Sequence, residues 1–210
     1  MNHPKIVLIG GIPGVGKTSI AGEIAKALDI DIVLSGDYLR EFIRPFGDYA
    51  KFSVMSRSVY EAWTSFGEKN RENIISGFLA QSEVMNAGIS AIIRRAVING
   101  EDMVIEQLHF VPSQLGRDLL NQIIPIYLYI HDIDIHRDRL KERVNFTHAN
   151  SPGERLAEQL DTYRFMMDYS LEESRSYGIR IFESSDYRKA LKAVLTFVES
   201  EVRGINDKFQ

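Results

Sequence analysis

The sequence predicts an α/β protein: five parallel strands in one sheet, with helices on both faces. Two observations predict it. Five short runs rich in apolar and β-branched residues alternate with segments of helical period, the pattern of a parallel sheet whose crossovers are helices. The first run, Lys5 to Ile9, leads into Gly11-Ile12-Pro13-Gly14-Val15-Gly16-Lys17-Thr18, an unbroken match to the G-x-x-x-x-G-K-[ST] phosphate loop. Glycines open backbone conformations closed to other residues, so successive N–H groups can close around phosphate oxygens at a positively polarised helix end. In such a loop Gly11, Gly14, Val15, Gly16, Lys17, Thr18 and Ser19 bind the nucleotide. Lys17 reaches the β- and γ-phosphates and the Thr18 hydroxyl stands on Mg2+.

Each element follows in order. A helix opens at Thr18, and Ile20, Ala21, Ile24, Ala25 and Leu28 form its inward stripe. Ile32 to Leu34 is the second strand, ending at Ser35-Gly36-Asp37. Tyr38 to Phe46 reads as a short helix with Asp37, Arg40 and Arg44 on one face, ended or kinked by Pro45. Gly47 to Ser53 is a loop, and Val54 to Phe66 and Arg71 to Ile98 have helical period. Asn99-Gly100 stops the latter. Met103 to Ile105 is the third strand, with Glu106 at its carboxyl end and His109 in the loop before Pro112. Ile126 to Ile130 is the fourth, with Pro125 near its start, where a missing donor is tolerated. A charged helix runs through Val144, and Asn145 to Gly153 reads as a mobile connection. Glu154 to Tyr177 is one long helix, Ile179 to Phe182 the fifth strand, and Tyr187 to Val202 the last helix. The length suits a single domain, with an acceptor-binding helical segment at about 37–99 and a helical lid at about 132–153.

Composition excludes several classes. The 210 residues include no cysteine, which removes disulfides, thiolate metal sites and cysteine nucleophiles and fits a reducing cytoplasm. A net charge of −4 supplies no overall basic footprint for nucleic acid, and no apolar run is long enough to span a membrane. The start is unlike a signal peptide. The expected partner is a small molecule, and the oligomeric state is not legible.

In a parallel sheet ligands bind beyond the carboxyl ends of the strands, and three charged clusters fall there. Asp37 is the first choice for the carboxylate that takes a proton from an acceptor hydroxyl, alongside a plain helix-capping role. Glu106 sits where an acidic residue can hold a water of the metal, with the base role as its second assignment. His109 binds the acceptor or positions Glu106. Arg40 and Arg44 share the face of Asp37 and can clamp an acidic acceptor. His136, Arg139 and Arg143 lie at i, i+3 and i+7, one helical face. There His136 is an acceptor contact, and the arginines can meet the triphosphate when a lid closes. Tyr60, Trp63 and Phe66 read as core packing.

Several of these pieces occur together in one family. Gly10-Gly11 with the phosphate loop, Ser35-Gly36-Asp37-Tyr38-Leu39-Arg40, Val104 to Pro112, and His136-x-x-Arg139-Leu140-x-x-Arg143 resemble the archaeal 2-phosphoglycerate kinase family. The resemblance covers roughly residues 5 to 185. It implies a P-loop kinase fold, ATP with Mg2+, and transfer to a hydroxyl of a small, already phosphorylated anion. Gln107 and Ser113 stand where that family has glycines, and Leu140 where it has phenylalanine. Those departures leave nucleotide handling alone and bear on the acceptor. A short, diverged chain fits the mevalonate 3-phosphate 5-kinase-like branch of the family slightly better than a true 2-phosphoglycerate kinase; the alternatives from other classes are a nucleotide-dependent switch and a kinase acting on a macromolecule.

Overall fold

The computed structural model describes residues 3–142 and 153–208. The strands are β1 (Ile6–Gly10), β2 (Ile32–Ser35), β3 (Met103–Gln107), β4 (Ile124–Tyr129) and β5 (Arg180–Glu183). They form one sheet in the order β2-β3-β1-β4-β5, and every pairing is parallel. Central β1 is buried along its whole length, which explains its unbroken Ile-Val-Leu-Ile run. An edge strand need not be so apolar, and Ile32 and Val33 of β2 are exposed. Because the chain leaves β1 to build one side of the sheet and returns to build the other, a crevice opens at the carboxyl end of β1. The phosphate loop occupies it.

The helices are α1 (Lys17–Leu28), α2 (Gly36–Ile43), α3 (Arg71–Asn99), α4 (Pro112–Leu115), α5 (Arg117–Leu120), α6 (Ile133–Glu142), α7 (Gly153–Glu158), α8 (Leu160–Ser176) and α9 (Tyr187–Lys208). Three local readings need correction. The segment 54–66 is not an α-helix but two 3₁₀ stretches, Ala50–Ser56 and Val59–Ser65, which lie across α3. Tight 3₁₀ turns let the chain change direction there, which a continuous α-helix cannot do. The helix expected over 154–177 is broken at Gln159 into α7 and α8. Phe66, expected in the core, is 45% exposed, while Tyr60 is buried and Trp63 packs partly against the core. The connection expected at 145–153 lies, apart from Gly153, outside the described residues, as does Arg143. Among the described residues no helix is long and apolar enough to cross a membrane.

α3 begins with the Asn70 side chain accepting the Asn73 N–H, and ends at Gly100 in the left-handed conformation that the Asn99-Gly100 pair predicts. Its inward face is apolar except for Gln81, Ser82 and Asn86, all buried. Gly77 brings α3 against the backbone of the crossing 3₁₀ segment. A Cβ there would stand 2.6 Å from Ala62 C and Trp63 N. Gly77→Ala is therefore expected to lower stability by about 1–2 kcal/mol, overpacking outweighing the gain in helix propensity. A thermal midpoint equal to or above that of the parent protein would refute this reading.

Candidate active site

The phosphate loop takes the backbone shape its glycines permit. Gly14 and Gly16 have φ of 87° and 90°, and Gly16 is the left-handed residue that starts α1. Gly14 has a second reason to lack a side chain, since a Cβ would lie 3.1 to 3.3 Å from atoms of Leu140 and His136. Helix α6 thus closes directly over the loop. The loop is also tied from beneath, by the Ser184 hydroxyl, 3.0 Å from the carbonyls of both Val15 and Tyr129. Arg139 donates to the Ser185 carbonyl at 2.7 Å, which links α6 to the turn after β5.

Lys17 lies across this crevice. Its Nζ donates to the Ile12 carbonyl at 3.2 Å and stands 3.9 Å from Glu106 Oε2. Glu106, at the carboxyl end of β3, is only 4% exposed. Its Oε1 accepts from the Ser35 hydroxyl at 2.7 Å, and the Thr18 hydroxyl stands 3.5 Å away. The register explains the arrangement: Ser35 of β2 and Ile9 of β1 flank Glu106, so a side chain at this strand end meets both the loop helix and the start of α2. Ser35 was not among the residues singled out by sequence. Its place between a strand and Asp37 was the available signal.

The donor set bears on a metal. No cluster of three or more His, Cys, Asp or Glu that could hold an ion exists among the described residues. A hydroxyl and a carboxylate beside a phosphate loop, Thr18 and Glu106, fit Mg2+, which keeps most of its waters and takes phosphate oxygens as ligands.

Next to Glu106 lies a second pocket wall. Asp37 opens α2 and is exposed; Arg40, one turn on, has a side chain only 12% exposed. Arg40 NH1 pairs with Glu41 at 2.8 Å, and NH2 donates to the Arg57 carbonyl. Its Nε is sealed without a partner. Arg44 is more exposed and contacts Glu41 at 3.2 Å. His109 is buried and stacks on Phe78 with 16° between the planes. Desolvation, then the Arg40 charge, hold its pKa down at about 3, with Lys17 acting the same way and Asp37 opposing. The charges of Arg40, Asp37 and Lys17 thus all act on the His109 ring.

His136 requires a correction. Sequence set it among the acceptor contacts, but its ring is wholly buried and Nε2 lies 2.9 Å from the Pro13 carbonyl. It braces the phosphate loop from behind. Burial holds its pKa at about 4, against the opposing pull of the Pro13 carbonyl.

Comparison with known proteins is decisive. Residues 7–161 match the family model described as an AAA domain. The chain is 49% identical to a mevalonate-3-phosphate 5-kinase of Thermoplasma acidophilum over 92% of its own length and 95% of that protein. The chain belongs to this family of P-loop kinases. A more distant relative of the kinase is the 2-phosphoglycerate kinase of Methanopyrus kandleri, 27% identical over 95% of the chain. The match spans 62% of that relative's length. In fold, the kinase resembles shikimate kinase from Acinetobacter baumannii, at a TM-score of 0.54 and 15% identity over 94% of each chain. The relatives are phosphotransferases with an alcohol acceptor, and so is this enzyme.

Proposed function

We propose that the enzyme transfers the γ-phosphoryl group of ATP to a hydroxyl of mevalonate 3-phosphate, in the cytoplasm and with Mg2+. The observation that carries this reading is the 49% identity to mevalonate-3-phosphate 5-kinase across nearly the full length of both chains, against 27% to 2-phosphoglycerate kinase. The pocket chemistry supports an anionic acceptor, because α2 places the guanidinium of Arg40, its side chain 12% exposed, and that of Arg44 one turn and two turns beyond Asp37. A phosphate or carboxylate oxygen satisfies such a group, and water-like neutral groups do so less well.

The roles then divide by position. Lys17 and the loop N–H groups hold the β- and γ-phosphates; Thr18 and, through water, Glu106 would hold Mg2+, which would supply neutralisation of charge on them. Asp37 accepts the hydroxyl proton as the acceptor oxygen bonds to the γ-phosphorus and the bond to the β-phosphate oxygen breaks, releasing ADP. Arg40, with Arg44 at the rim, binds the acceptor's charges. Arg139 and Arg143 meet the triphosphate when α6 shifts, Arg139 exchanging the Ser185 carbonyl for phosphate oxygens.

ATP consumption measured side by side with mevalonate 3-phosphate and 2-phosphoglycerate tests this. Turnover is expected with mevalonate 3-phosphate. Consumption with 2-phosphoglycerate alone, or hydrolysis indifferent to both, would overturn the acceptor assignment.

A further inference from the structure

Gln81 belongs to no phosphate-binding motif, yet it is wholly buried in the middle of α3 against the acceptor pocket. Its Nε2 donates to the carbonyls of Val54 and Arg57 at 2.7 and 2.9 Å. With its nitrogen so engaged, the amide presents Oε1 to His109, whose Nε2 is 3.2 Å away. A carbonyl oxygen can only accept, so the hydrogen of His109 must reside on Nε2 and the lone pair on Nδ1. Among the described residues, that Nδ1 has no hydrogen-bond partner, and it is not sealed as the Nδ1 of His136 is. The Arg57 carbonyl also accepts from Arg40, so one backbone oxygen sets both the imidazole and the guanidinium.

We propose that Gln81 is a positioning residue that holds His109 in the neutral Nε2–H form, so that the Nδ1 lone pair accepts the hydrogen bond of the acceptor's reacting hydroxyl. The proposal rests on the acceptor reading of this pocket. Among the described residues, the charged groups that act on the ring are Lys17 of α1 and Asp37 and Arg40 of α2, and on the α3 side it meets Gln81 and Phe78. Two cations and burial keep the ring uncharged near neutral pH. So weak a base holds the O–H hydrogen only until the oxygen bonds to the γ-phosphorus; the O–H then turns to Asp37, which takes the proton.

Nitrogen NMR of the histidine-labelled full chain, recorded without acceptor, reads the tautomer directly. The Nε2–H form is expected, unchanged from pH 7.5 to 5. Gln81→Met keeps the bulk and removes both hydrogen-bonding groups. It is expected to give mixed tautomers and a kcat at least tenfold lower with KM for ATP within twofold. A wild-type ring in the Nδ1–H form, or Gln81→Met with wild-type kcat, would overturn the proposal. The wild-type spectrum decides even where the variant does not fold. It also decides where neither acceptor is turned over, so the acceptor reading can fail while the tautomer assignment stands.

Discussion

Exchanging Glu106 for glutamine is expected to lower kcat by about 10²- to 10³-fold and to raise the Mg2+ concentration needed for half-maximal rate. Glutamine keeps the shape and can keep the 2.7 Å contact with Ser35, so the fold of the β3 end is preserved. What disappears is a negative charge 3.9 Å from Lys17 and 3.5 Å from the Thr18 hydroxyl, in a site sheltered enough for the charge to matter. Asp37→Asn separates the two carboxylates. Removal of a general base is expected to lower kcat by about 10²- to 10⁴-fold, with ATP affinity and Mg2+ dependence unchanged. Steady-state rates across a Mg2+ titration check both variants. Activity of Asp37→Asn within threefold of the parent would remove Asp37 as the base, and a shifted Mg2+ requirement in that variant would reverse the two assignments.

Acid is expected to destabilise the protein steeply between pH 6.5 and pH 4, through two histidines. His109 and His136 have folded-state pKa values of about 3 and about 4, against 6.5 for an exposed ring. Burial is the main cause in each, and neighbouring cations add to it. The sign follows from proton counts. Below pH 6.5 the unfolded chain binds two protons that the folded protein does not, so stability falls as pH falls. The contribution is complete above pH 6.5 and is lost progressively down to the folded values. With both rings acting, the slope approaches about 2–3 kcal/mol per pH unit. Denaturant midpoints at pH 7, 5.5 and 4.5 measure it. His136→Gln and His109→Gln are each expected to flatten the dependence, and an unaltered slope in both would show that the carboxylates alone account for acid loss. Because neither readout involves turnover, this result is independent of the acceptor.

Much was legible in the chain because its signals are local. The phosphate loop needs glycines, a lysine and a hydroxyl at fixed spacing, so Gly11 to Thr18 announces itself whatever surrounds it. Strands next to helical segments likewise betray a parallel sheet, and the loops at their carboxyl ends drew attention to Asp37, Glu106 and His109. Local signals erred where neighbours overrule period. The apolar pattern of Val54 to Phe66 is compatible with an α-helix, and only the backbone contact at Gly77 shows why tight turns run there instead.

By itself, then, the order of residues determined the sheet class, the nucleotide loop and membership of a kinase family, because each depends on neighbours along the chain. Folding alone decided that His136 lies behind the loop, that Ser35 touches Glu106, and that an amide on α3 addresses His109. Those contacts join residues 123, 71 and 28 positions apart. No spacing rule reaches across such distances, since what brings the partners together is burial of the intervening helices against the sheet.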